Sequence, residues 1–115
     1  VTAALEDPMV EKRLLGLLGL GVRGRLAVVG VERVREAVLS HKVTFAIVAP
    51  DASRHSLDKI VPLLVARRVR FVCGPSAAVL GAAVGRETTA AVGITDRQLA
   101  KGMRALVDSG SDGAH

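Results

Sequence analysis

Asp51, Ser53 and His55 are the residue types of a hydrolytic relay, in which a hydroxyl attacks, an imidazole takes its proton and a carboxylate orients the imidazole. Three such residues within one five-residue loop rarely attain that geometry, and Asp and Ser are natural turn and cap formers. The stretch therefore reads as a loop that caps the following helix. Gly19, Gly21 and Gly24 spell GLGVRG, the letters of a dinucleotide-binding turn. That turn must follow a strand and open a helix, so that pyrophosphate meets the helix N-terminus. Here the order is reversed, and the glycines read as helix termination and close packing. His41, His55 and His115 are far apart and match no metal-ligand spacing, and the single Cys73 excludes a disulfide framework and a cysteine-rich zinc site. A core thiol is its expected role. With no paired carboxylates, phosphate loop or metal cluster, the chain is expected to be no enzyme and to hold no metal or cofactor.

The remaining chemistry is anion binding. Sixteen Lys and Arg against eleven Asp and Glu give a net charge of +5 and an isoelectric point of about 10.4, a balance that suits a polyanionic partner. Twelve of the sixteen are Arg, whose planar fork grips phosphate bidentately, although GC-rich coding writes a similar composition. The densest constellation is Gly30 and the helix start that follows it, flanked by Arg23, Arg25, Arg33, Arg35 and Lys42. A helix N-terminus offers unpaired N–H groups and a positive dipole end, and guanidinium groups around it strengthen anion binding. A simpler account also fits, in which Glu32 with Arg35 and Arg33 with Glu36 form (i, i+3) ion pairs on a solvated face. Phe45 and Phe71 are the only aromatics and both sit in apolar runs, so no exposed platform is expected for stacking unpaired bases.

The elements that must position these residues alternate. Asp7 as N-cap, Pro8 at the first helical position and Gly21 as terminator predict a helix over 8–20. A buried strand at 26–29 is closed by Gly30, and Val31, Val34 and Val38 mark an amphipathic helix over 31–41. Residues 43–50 read as a strand covered on both faces. After the loop at 51–56, Leu57, Ile60, Val61 and Leu64 mark a third helix that Pro62 should bend or shift. A short buried strand at 69–73, a helix at 76–84 capped by Ser76, a strand at 89–94 and a helix capped by Thr95 complete the order. Five helices alternating with four strands build an α/β fold, a sheet with helices on both faces.

The length of 115 residues suits one domain over 1–115, with its core at about 8–107 and a frayed polar tail at 108–115. Half the residues are hydrophobic and the mean hydropathy is +0.38, which excludes disorder over the length. No apolar run reaches the ~18 residues of a membrane span, and charges from Glu6 to Arg13 break up any secretory signal. A cytoplasmic location without membrane contact is expected.

Three stretches resemble a known family: IVAPDAS at 47–53, VPLLVARRV at 61–69 and GPSAAVLGAAVGRETTAAVGITD at 74–96. Together with the pattern Leu80, Gly81, Ala83, Gly85, they are similar to the large-subunit ribosomal proteins of archaea and eukaryotes that bind kink-turn RNA, and to their small bacterial relatives. The likeness covers about residues 12–104, and Pro62 falls where that family tolerates a proline. It implies a three-layer α/β/α sandwich with a four-stranded mixed sheet, and RNA binding without catalysis. Ribosomal or another structured RNA is the implied partner, within a ribonucleoprotein.

The resemblance implies two contact elements. One is the start of the second helix, Gly30, Glu32, Arg33 and Glu36, which would read the tandem sheared G·A pairs of the kink. The other is the loop Val84 to Thr89, with Arg86, Glu87 and Thr88, against bent nucleotides. Arg23, Arg25, Arg35 and Arg86 are expected to neutralise the RNA backbone. The archaeal pattern of asparagine, glutamate and, three residues on, lysine stands here as Glu32, Arg33 and Glu36, and Arg33 is positioned to take guanine's acceptor edge in place of the lysine. The alternative is a protein-interaction module on the same fold.

Overall fold

The computed structural model describes the backbone of residues 3–112 and the side chains of residues 5–108. A short 3-10 helix, Ala3–Glu6, precedes α1 (Pro8–Arg23), β1 (Ala27–Val29), α2 (Val31–Leu39), β2 (Phe45–Val48), α3 (Arg54–Ala66), β3 (Phe71–Cys73), α4 (Ala77–Ala83), β4 (Ala91–Ile94) and α5 (Arg97–Asp112). The expected caps hold at three helices. Asp7 accepts from Met9 N, Ser53 from Ser56 N and Ser76 from Val79 N, each relieving one orphan donor of a first turn.

Several boundaries differ from expectation, each for a tertiary reason. α1 does not stop at Gly21 but runs to Arg23, with Gly24 as C-cap. Gly21 serves close approach instead: a Cβ there would lie 2.5 Å from Leu99 Cδ2 of α5. α2 ends at Leu39 rather than 41. Asp96, not Thr95, caps α5 by accepting from Leu99 N at 2.9 Å, while the Thr95 hydroxyl donates to the Leu26 carbonyl. α5 continues to Asp112, through most of the segment expected to fray, and 113–115 lie outside the described residues. α3 begins inside the expected loop, at Arg54, and runs through Pro62. Pro62 and Asp58 are both exposed, so the carbonyl that loses its donor can turn to water.

The strands form one sheet in the order β1-β4-β2-β3. β4 is antiparallel to both neighbours, with Val92 opposite Val29 and Ile47, and β2 is parallel to β3, with Ile47 beside Val72. Alternation along the strands divides the core. Phe45, Ile47, Val92 and Ile94 pack with Leu14, Leu18, Leu80 and Met103 of α1, α4 and α5. Ala46, Val48 and Ala91 pack with Val34, Val38, Ile60 and Leu64 of α2 and α3. This is the three-layer α/β/α sandwich with a mixed four-stranded sheet. β2 and β4 are buried throughout, but β1 and β3 only in part. The burial expected of the strands at 26–29 and 69–73 is only partial, because both are sheet edges, covered by a neighbouring strand on one side alone. No helix among the described residues is long and apolar enough to cross a membrane.

α1, α2 and α3 end alike. Arg25, His41 and Arg68 adopt left-handed backbone with φ of 61, 58 and 57°. The paired bonds Arg68 N to Val65 O and Val69 N to Leu64 O, matched at His41 and Lys42 on α2, satisfy helix-end carbonyls and oblige that conformation. An L residue pays about 1–2 kcal/mol for it, offset in part by about 0.3–1 kcal/mol for a cation at a helix C-terminus. Arg68→Gly is therefore expected to stabilise the chain by about 0.5–1 kcal/mol. The change should appear as a higher urea midpoint at unchanged slope; a lower midpoint would show that the arginine side chain contributes more than its backbone costs.

Candidate nucleic-acid interface

β1 and β2 are both antiparallel to β4 and hence parallel to each other, so the helices that follow them, α2 and α3, start at the same end of the sheet. The loop before β4 arrives there too, held by Gly30 N to Ala91 O at 2.9 Å and Ala49 N to Ala90 O at 2.8 Å. Between these parts lies an open groove of ≈ 420 Å³ lined by Val29, Gly30, Val31, Glu32, Arg33, His55, Ser56, Lys59 and Arg86.

Gly30 is the N-cap of α2 at φ 101°, ψ 149°, a region essentially restricted to glycine. It brings no side-chain oxygen, so the first-turn N–H groups of α2 remain uncapped at the groove wall. The (i, i+3) ion pairs do not form. Glu32 reaches across to Lys59 Nζ at 2.9 Å, and the Arg35 guanidinium donates to the Lys59 carbonyl. This double tie holds α2 against α3 and sets the width of the groove. The hydrogen bond and charge of the Lys59 ammonium hold the Glu32 carboxyl below its ordinary range. The pair is exposed and contributes little energy by itself; its effect is positional. Arg33 and Arg86 are exposed and have no side-chain partner among the described residues.

The loop 84–89 is folded back along α4 by Arg86 N to Gly81 O at 2.8 Å and Thr89 N to Ala77 O at 3.0 Å. The fold-back requires Gly81, because a Cβ there would lie 2.7 Å from Thr88 Cα and 2.9 Å from Glu87 O. The loop backbone thus rests directly on α4, and Arg86 is delivered to the groove.

The expected site residues separate on this frame. Gly30, Glu32, Arg33 and Arg86 come together at the groove. Glu36 is exposed one turn further along α2, and Glu87 and Thr88 are exposed beside Arg86, all three outside the groove lining. Arg35 is engaged between the two helices. Arg23 lies with Leu17, Leu20 and Leu106 in a separate depression. Arg25 and Lys42 sit at the far end of the sheet, where Leu26 O accepts from Thr95 N.

His55, Ser56 and Lys59 were not anticipated. Ser53 as a cap signals that a helix begins there, but no local signal says that its first turn faces α2. The relay residues are otherwise occupied: Ser53 caps α3, and the Asp51 carboxylate accepts from Ala77 N at the start of α4, at 2.7 Å. His55 hydrogen-bonds to neither. The groove therefore offers anion-binding donors and free guanidinium groups, with no nucleophile and base in contact.

Residues 13–103 match the description of the ribosomal protein L7Ae/L30e/S12e/Gadd45 family. The chain belongs to this family. All three stretches that carry the sequence resemblance lie inside the matched segment. The chain is similar to the RNA-binding protein YlxQ of Bacillus subtilis, at 29% identity over 92 residues, 80% of this chain and 92% of that protein. A protein of unknown function from Bacillus halodurans shares the fold at a TM-score of 0.76 with 29% identity, over 83% of this chain and 96% of that one. The 15.5kD RNA binding protein of Giardia lamblia has the same TM-score of 0.76 at 20% identity, over 90% and 89% of the two chains; at that identity the likeness is one of fold.

Proposed function

We propose that this chain is a non-catalytic binder of structured RNA, ribosomal RNA foremost, and that the groove between the starts of α2 and α3 seats a kink-turn or a similarly bent internal loop. The observation that carries this reading is the convergence of Arg33, Arg86 and the uncapped α2 start on one open groove. Family membership and the RNA-binding relative YlxQ support the choice of RNA. Arg33 is the base reader. A sheared G·A pair leaves guanine O6 and N7 unpaired, and a free guanidinium takes that edge with two parallel hydrogen bonds. Arg86, Lys59 and the α2 N–H groups meet the flanking phosphates. Glu36, outside the groove lining, does not place an unpaired carboxylate against the bases.

The test is a titration of the protein against a labelled kink-turn RNA and a control lacking its G·A pairs, at low and near-physiological salt. Binding to the intact kink at least tenfold tighter than to the control, at both salts, is the expected result. Equal and steeply salt-dependent binding to both would reduce the function to general backbone contact. Binding to neither would overturn the RNA reading in favour of a protein-interaction module.

A further inference from the structure

The other end of the sheet carries a second concentration of charge. A cleft of ≈ 490 Å³ opens between the C-terminal ends of α2 and α3 and the first turns of α5. Arg67, Arg68, Arg97, Lys101 and Arg104 line it, joined by His41, and no carboxylate does. Asp96, just before α5, caps the helix through Leu99 N, and Asp108 on α5 is paired with Arg70, whose guanidinium holds the Asp108 carboxyl below its ordinary range. None of the five cations lining the cleft has a side-chain hydrogen bond or salt bridge among the described residues, and of the five only Arg104 acts on Asp108, as a secondary charge behind Arg70.

Arg97, Lys101 and Arg104 follow at i, i+4 and i+7, one face of α5. Like charges gathered in a concavity repel one another, and a polyanion relieves that repulsion while the low-dielectric walls concentrate the field. His41 is the one ring in the cleft lining, Phe45 being fully buried and Phe71 packed against the α2–α3 core. Five cations against one imidazole weight the cleft toward phosphate oxygens, which guanidinium forks fit, over the stacking of unpaired bases. That weighting favours the regular backbone of a paired strand.

We propose that this cleft is a second RNA-binding surface, which holds the phosphate backbone of an RNA duplex. The four residues of β2 separate it from the α2–α3 groove by at least about 13 Å, so one molecule grips two segments of a folded RNA. The choice of RNA among polyanions rests on the reading of the chain as RNA-binding; the phosphate contact stands on the cleft itself.

The experiment uses a continuous, fluorescently labelled RNA duplex with no internal loop, so its outcome does not depend on kink recognition. The full chain, the triple variant Arg67→Ala, Arg97→Ala, Lys101→Ala and a control variant Lys12→Ala, Arg13→Ala are titrated across a salt series, with thermal melting to confirm that each is folded. The triple variant is expected to bind the duplex about tenfold more weakly and to flatten the slope of log K against log salt by about 2–3. The control should stay within about twofold of the parent chain on this duplex, because both side chains are exposed on α1, outside the cleft. An unchanged affinity and slope in the triple variant overturns the proposal, as does a loss in the control equal to that of the triple. A DNA duplex of the same sequence bound as tightly as the RNA overturns the assignment to RNA.

Discussion

Gly81→Ala is expected to lower the stability of the fold by about 2–3 kcal/mol and to weaken RNA binding as well. The added methyl would sit 2.7 Å from Thr88 Cα and 2.9 Å from both Glu87 O and Thr88 N. These are backbone atoms, so no side-chain rotation relieves the overlap. Relief requires the loop 84–89 to lift off α4, at the expense of the bonds from Arg86 N to Gly81 O and from Thr89 N to Ala77 O. Arg86 would then leave the groove. The control is Ala82→Gly, on the exposed side of the same helix, which should cost about 1 kcal/mol of helix propensity and leave RNA affinity unchanged. Urea midpoints and kink-turn titrations of the two variants separate packing from propensity; a Gly81→Ala midpoint equal to that of the parent chain would refute the close-approach account.

Arg33→Glu should weaken binding to kink-turn RNA by at least tenfold, a loss of about 1.4–3 kcal/mol. Two effects add. The bidentate donor to guanine O6 and N7 is lost, and a carboxylate with no donor to offer is brought against acceptors and phosphates. Thermal stability should hardly change, because Arg33 is exposed and has no side-chain partner among the described residues. Arg33→Lys is the informative companion: it keeps the charge but loses the fork, so a base-reading role predicts lost preference for the kink over its G·A-free control with most of the affinity retained. An unchanged titration for Arg33→Glu would remove this residue from the interface.

Much of this protein was legible in its residues. Period and punctuation placed the five α-helices and four strands but not the short 3-10 helix Ala3–Glu6, because Asp7, Ser53 and Ser76 act within one turn of themselves and alternating apolar residues report the face they bury. Boundaries failed where a distant contact overrode the local signal. Gly21 looks like a terminator and is instead a seat for Leu99, and Thr95 looks like a cap while its hydroxyl is spent on Leu26. The resemblance in residues 74–96 pointed to the loop, but the reason its glycine matters lies in how the loop returns along α4.

The sequence by itself determined the order and kind of the elements, the basic balance, the absence of exposed aromatic platforms and the family, since all of these reside in residue type and short-range spacing. The tertiary structure alone decided which charges act together. Glu32, expected to pair along its own helix, pairs across to Lys59, and Arg35 is drawn into the same contact. The arginines anticipated as one patch separate, with Arg33 and Arg86 at one groove, Arg35 between α2 and α3, Arg23 in another depression and Arg25 at the far end of the sheet, while Arg67, Arg68, Arg97 and Arg104, which no sequence signal grouped, gather in the opposite cleft. That division follows from the strand order β1-β4-β2-β3, which makes the starts of α2 and α3 neighbours. Strand order is set by long-range pairing and by which faces bury together, and no local spacing encodes it.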